Sequence, residues 1–266
     1  MAFELPTDLR HARILLSNDD GINAPGLAVL ERIARSLSDD VWIVAPETEQ
    51  SASSHSLTLQ RPLRLREINE RRFAVDGTPT DCALLAINLI MRERKPDLVL
   101  SGVNFGRNIS DDITYSGTIA VAMEATLLGV PAIAMSQAVD ASGSIDWSAA
   151  ESWGPQLIRR VAGMSWPDTV LVNINFPAVP ADQVTGIQVV PHGKRKIADE
   201  VCERVDPRGR TYYWVGPLYE SETMALGTDL AVVSGGGIAI TPLHLDLTHG
   251  PTLESLRLVF AQPTQT

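Results

Sequence analysis

Apolar positions along the chain fall into short blocks separated by turn-rich stretches, and the spacing inside each block indicates its element. Residues 13–17 (RILLS) form a brief unbroken apolar run of the kind a buried strand shows. The turn-rich NDDGINAPG follows, and LAVLERIARSL then repeats its apolar residues at helical spacing. Residues 41–45 (VWIVA) read as a second strand, closed by Pro46. Strand, helix and strand in this order form a βαβ unit, which implies parallel strands and a right-handed crossover. The alternation returns with CALLAINLIMRE as a helix, residues 97–101 (DLVLS) as a strand, GTIAVAMEATLLG as a helix and residues 131–136 (PAIAMS) as a strand. The fold class is therefore α/β, a doubly wound and mostly parallel Rossmann-like sheet.

Two regions depart from that rhythm. LTLQRPLRLREI and RRFAVDG read as an antiparallel insertion ending in the DGTP turn. Beyond about residue 180, GIQVVPHGKR, KIADEVCERVDPRGRTYYWVG and GGGIAITPL predict extended segments between Pro and Gly turns, a β-rich C-terminal arm or hairpin. The expected organisation is an α/β core over residues 1–180 and an extension over residues 181–266 that ends in a helix. Arms of this kind pack on another subunit, so a homodimer or homotetramer is expected.

Composition narrows the function. With 266 residues and 44% hydrophobic content, the chain can bury a substantial core and lies near the upper size of one domain. Its formal charge of −10, from 32 acidic against 22 basic residues, repels polyanions and argues against a duplex nucleic-acid binder. A small phosphate ester remains admissible, because a bound divalent ion inverts the local field. Cys82 and Cys202 lack CxxC spacing and read as thiols of a reducing compartment. The N-terminal MAFELPTDLRHARILLS is neither a signal peptide nor a membrane span, so a cytoplasmic protein without a membrane partner is expected.

Ligands of open α/β sheets bind beyond the carboxyl ends of the strands, which makes the loops after the strands the place to look. Three polar loops occupy those places: Asn18-Asp19-Asp20-Gly21, the segment from Gln50 to His55, and the segment from Gly102 to Asn108. At a strand-to-loop transition Asp19 and Asp20 can turn toward one point, and without a His or Cys cluster such oxygen ligands suit Mg²⁺ or Mn²⁺. Capping of the next turn is the plainer role for either Asp. Asn104 and Asn108 can supply a carbonyl to a metal and an amide to a phosphate oxygen, or simply occupy left-handed turn positions. Tyr115-Ser116-Gly117-Thr118 opens a helical run, where N–H groups and hydroxyls serve either a bound anion or an ordinary cap.

LLSNDDGINAPG, QSASSHSLT, DGTPTDC, SGVNFGRN and YSGTIAVAMEA occur in this order and together resemble the SurE family of stationary-phase survival proteins. The resemblance spans residues 13–136, with weaker support from VVPHGK and GGGIAITPL. It implies a metal-dependent nucleotidase acting on nucleoside 5′- and 3′-monophosphates, with activity on short polyphosphate in some members and a hairpin arm exchanged between subunits. It implies one divalent ion per subunit, Mg²⁺ or Mn²⁺, held by Asp19, Asp20, Ser51 and Asn104. The two carboxylates are the expected catalytic residues. Asn108, Ser116, Gly117 and Thr118 form the implied phosphate site, to which Asn18 is added. Where many members carry Arg and Gly around the serine of the second loop, this chain has Gln50 and Ala52.

Two other classes compete. A serine hydrolase would use the Ser-rich QSASSHS, yet the segment has no GxSxG elbow. A non-catalytic nucleotide-binding module would use the same crevice, though GxxxxGK[ST] and GxGxxG are both missing from the first strand-loop-helix. Of the histidines, His55 is the candidate general acid, since it lies on the second loop.

Overall fold

The computed structural model describes residues 2–6, 8–194, 201–215 and 225–261. Its strands in chain order are β1 (Ala2–Phe3), β2 (Arg13–Ser17), β3 (Asp40–Pro46), β4 (Leu65–Asn69), β5 (Arg72–Val75), β6 (Leu98–Phe105) and β7 (Ala132–Gln137). They continue as β8 (Trp166–Pro167), β9 (Val170–Phe176), β10 (Ile187–Val189), β11 (Val201–Val205), β12 (Thr211–Val215) and β13 (Ile238–His244). The helices are α1 (Pro25–Arg35), α2 (Pro79–Leu85), α3 (Gly117–Leu127), α4 (Ser148–Ala162), α5 (Asp229–Ser234) and α6 (Gly250–Ala261).

Nine strands make one sheet in the order β10-β13-β9-β7-β6-β2-β3-β5-β4. From β5 across to β9 every neighbouring pair is parallel. The antiparallel pairs are β4 with β5 and β13 with β9, and β10 runs parallel to β13. The doubly wound, mostly parallel sheet read from the sequence is the one observed. It continues past residue 180, since β10 and β13 lie within it, whereas β11 and β12 form a separate two-stranded hairpin. Of the segments read as the arm, residues 195–200 and 216–224 lie outside the described residues.

Both faces of the sheet are covered, which explains the unbroken apolar strands. In β2, Ile14 and Leu16 point into one core with Leu27, Leu30 and Ile33 of α1, while Leu15 points into the other with Ile119 and Val121 of α3. Helix α1 forms because Pro25 presets its first turn, Leu27, Leu30, Ile33 and Ala34 fall on one face, and Arg32 and Arg35 sit at its negative end. Helix α3 is buried along most of its length and starts from Ser116, whose hydroxyl accepts from Ile119 N–H at 3.1 Å.

The elements not anticipated include helix α4 and strand β9. Gly154 and Pro155 interrupt the composition of α4, and Asn173 and Asn175 interrupt the apolar run of β9, although both are fully buried. The helix read over CALLAINLIMRE is regular α only as far as Leu85 and then widens to a π turn over Ala86–Ile90. None of the helices among the described residues is long and apolar enough to cross a membrane.

The strand order sets the place of the site. The chain leaves β2 for β3 on one side and later returns to β6 on the other, so the switch point lies between β2 and β6. Asp19 follows β2, and Asn104 lies at the end of β6. Helix α1 lies so close to β6 that a Cβ on Gly26 would stand 1.9 Å from the carbonyl oxygen of Val103. Gly26→Ala must push helix from strand. Expected is a loss of about 2–4 kcal/mol in urea unfolding, and a change below ~0.5 kcal/mol would refute the close approach.

Candidate functional site

The three polar loops meet. Gln50 N–H donates to the Asp19 carbonyl at 2.8 Å, tying the second loop to the first. Ser54 donates from its backbone N–H to the Tyr115 carbonyl at 3.1 Å and from its hydroxyl to the Thr114 carbonyl at 2.8 Å. His55 Nε2 lies 2.9 Å from Glu124 Oε2 on α3, and His55 is not among the residues lining the cavity described below. Asp20 Oδ2 accepts from Phe105 N–H at 3.0 Å, which joins the first loop to the third.

Asp19 is 5% exposed and points at the N-terminus of α3. A Cβ on Gly117 would lie 2.7 Å from Asp19 Cβ and 2.9 Å from its Oδ2, so only glycine allows the helix to come this near. The Thr118 hydroxyl donates to Asp19 Oδ1. Burial pushes the Asp19 carboxyl above its ordinary range, and the Thr118 hydroxyl and the N–H groups of Thr118 and Gly117 pull it partly back. Burial, the charge of Asp19 and that of Glu49 raise Asp20 to about 6. Among the described residues no cationic side chain is paired with either group.

Asn104 donates its amide nitrogen to the Gly106 carbonyl at 2.8 Å, which leaves its oxygen as the ligand-type atom. Ser51 is exposed and donates to Glu49 at 2.7 Å. Asp19, Ser51, Asn104, Asn108 and Ser116 all line one open cavity of about 1170 Å³. Asn18, Asp20, Gly117 and Thr118 are not part of that lining; Asn18, Gly117 and Thr118 are buried, and Asp20 is partly exposed. Asn18 is fully buried and closes its own turn, donating to the Gly21 carbonyl at 3.0 Å and accepting from Gly21 N–H at 3.3 Å.

Sequence reasoning missed several lining residues. Phe105 and Tyr115, each 54% exposed, offer ring faces, and Arg107, Asp112 and Asp140 contribute charge. Composition hides the aromatic pair because only five Phe and four Tyr occur in the chain, but their flanking of SGVN and SGT was a usable signal. Among the described residues the lining carries three carboxylates, Asp19, Asp112 and Asp140, against Arg107. An anion enters such a cavity only with a cation beside the carboxylates.

The donors present fit a hard divalent ion. Among the described residues no group of three or more His, Cys, Asp or Glu side chains is placed to hold a metal. What the loops offer is two partly desolvated carboxylates with a neutral amide and a hydroxyl oxygen, a set suited to Mg²⁺ or Mn²⁺ that excludes a zinc-type thiolate or imidazole site.

Sheet order, switch point and acidic crevice define a doubly wound α/β protein with a candidate ligand site at the strand ends. The family model described as Survival protein SurE matches residues 14–199. The chain is 54% identical to the 5′-nucleotidase SurE of Paramagnetospirillum magneticum over 260 residues, 98% of this chain and all of that protein. It is 53% identical to the 5′-nucleotidase SurE of Rhodospirillum rubrum over 257 residues, covering 96% of this chain and 98% of that one. The crystal structure of the SurE protein from Aquifex aeolicus superposes with a TM-score of 0.82 at 37% identity, over 93% of this chain and 99% of that chain. This chain belongs to the SurE family.

The raised carboxyls have a thermodynamic consequence. Because Asp20 is raised from 3.8 to about 6, its contribution is fully present below pH ~4 and is lost as pH rises through 6. In divalent-free buffer the protein is expected to lose on the order of 2–3 kcal/mol from this group between pH 4 and 7. Asp20→Asn should flatten that part of the profile in chemical denaturation. An unchanged slope would show that Asp20 is not held desolvated.

Proposed function

We propose that the chain is a divalent-metal-dependent phosphomonoesterase that hydrolyses nucleoside 5′-monophosphates to nucleoside and phosphate. The observation that carries this reading is the pair of desolvated carboxylates, Asp19 and Asp20, at the switch point of the sheet, with no cationic partner among the described residues. The relatives' name, 5′-nucleotidase, supports the substrate class. We extend the proposal to 3′-monophosphates and short polyphosphate, which present the same terminal phosphoryl group.

Asp19, Asp20, Ser51 and Asn104 would hold one Mg²⁺ or Mn²⁺ per subunit. When bound, such an ion supplies Lewis-acid polarisation of a phosphoryl oxygen. The protein's own part is positioning and charge. Asn108 lines the cavity with an amide whose second N–H can reach a phosphate oxygen. Arg107 adds a positive charge to the same lining. Ser116, Gly117 and Thr118 set the start of α3, which directs N–H groups and a hydroxyl at Asp19 and fixes that carboxylate in place. Asn18 holds the turn that carries both acids. Phe105 and Tyr115 flank the opening, where their ring faces suit a nucleobase.

The protein also fits a homodimer or homotetramer. Tyr213 and Trp214 on the hairpin are each 63% exposed, Phe260 on α6 is 80% exposed, and α6 buries none of its residues.

Phosphate release from nucleoside 5′- and 3′-monophosphates, with protein stripped of metal and then given Mg²⁺ or Mn²⁺, tests the reading. Turnover is expected only with metal. Asp19→Asn and Asp20→Asn should each lower kcat/KM by about 10³-fold or more while the protein stays folded. Turnover that persists in chelator, or in either variant, would sink the assignment.

A further inference from the structure

Asn108 is gripped from beneath by three buried side chains. Its N–H donates to Asn175 Oδ1 at 2.9 Å, and its carbonyl accepts from Asn175 Nδ2 at 3.1 Å and from Asn173 Nδ2 at 2.8 Å. Asn175 thus engages both peptide groups of Asn108, as a neighbouring strand would. The side chain of Asn108 is held as well, with Nδ2 donating to Ser136 Oγ at 2.9 Å. Asn173, Asn175 and Ser136 are all fully buried, and Ser136 and Asn175 are register partners on the adjacent strands β7 and β9.

A central strand buried on both faces favours Val and Ile, and two carboxamides there cost desolvation unless each finds partners. Here the amide nitrogens of both, with the Asn175 oxygen and the Ser136 hydroxyl, converge on one residue of the cavity lining. The reciprocal bonds of Asn175 also fix which end of its amide is oxygen. One proton of Asn108 Nδ2 serves Ser136, and the other is available to a ligand.

We infer that Asn175, supported by Asn173 and Ser136, is a positioning residue that aims the Asn108 amide at the phosphoryl group. This rests on the phosphate reading of the cavity. Asn175 touches neither the carboxylates nor the cavity surface, so it acts through Asn108 and leaves metal binding alone.

The test is a double-mutant cycle on the full chain loaded with Mn²⁺, with two readouts: the dissociation constant of inorganic phosphate, and KM and kcat for a nucleoside 5′-monophosphate. Asn175→Leu, close in size, is expected to raise the phosphate constant and KM by about tenfold with a smaller fall in kcat and unchanged Mn²⁺ affinity. In an Asn108→Ala background the same change should add less than about twofold. Ser136→Ala removes a single acceptor and should raise both constants by about threefold, which keeps the test open if Asn175→Leu does not fold. Additive effects in the double variant, or folded single variants with wild-type phosphate affinity, would overturn the clamp. Wild-type protein that binds phosphate and shows a non-additive cycle, yet hydrolyses no nucleotide, would overturn the nucleotidase reading and leave the clamp standing. Wild-type protein that binds no phosphate would overturn both.

Discussion

A carboxylate buried beneath a helix N-terminus governs the architecture of this protein. Asp19 sits 5% exposed against the first turn of α3, where N–H groups and the Thr118 hydroxyl replace part of the water it has lost. Residue 117 must be glycine for the helix to come this close, and Ser116 must cap the helix so that its first N–H groups stay in line. The carbonyl of Asp19 in turn anchors the second loop through Gln50. The strand order brings these segments to one place, and the carboxylate makes that place demanding.

Much of this was legible in the chain. The βαβ rhythm gave the parallel sheet because the strands carry apolar residues on both faces, a pattern that only a doubly covered sheet explains. The contiguous acids after β2 and the asparagines at and just past the end of β6 stood at strand ends, and the topology brought those ends side by side. What stayed hidden depends on tertiary neighbours. Strand β9 could not be read because Asn173 and Asn175 look like surface residues until Asn108 is folded against them. Helix α4 was masked by Gly154 and Pro155, although Gly154 marks close packing on Ile33 of α1, with a Cβ there meeting Ile33 Cδ1 at 3.0 Å. Phe105 and Tyr115 are separated in sequence by a loop, and only its course puts both rings on one cavity.

The second loop shows how a departure in sequence is carried by the backbone. Ala52 adopts φ +58° and Ser54 φ +52°, both in the left-handed region where a side chain is disfavoured. The Gly that other members carry at the first of these positions would suit that angle. The chain instead tolerates a methyl group on an exposed turn and holds the loop through Ser54 and the His55–Glu124 contact. The position of Ser51 is therefore set from both sides, by Glu49 and Gln50 before it and by Ser54 and His55 after it.

The grip on the cavity wall also has a direction in time. Asn108 is clamped by a residue 67 positions later, and Ser110 N–H is held at 2.8 Å by Asp229, 119 positions later. A nascent chain exposes Asn108 and Ser110 before the side chains that hold their backbone have been made. A product terminated before residue 173 would carry the acidic pair and Asn108 without the two carboxamides that grip the cavity wall.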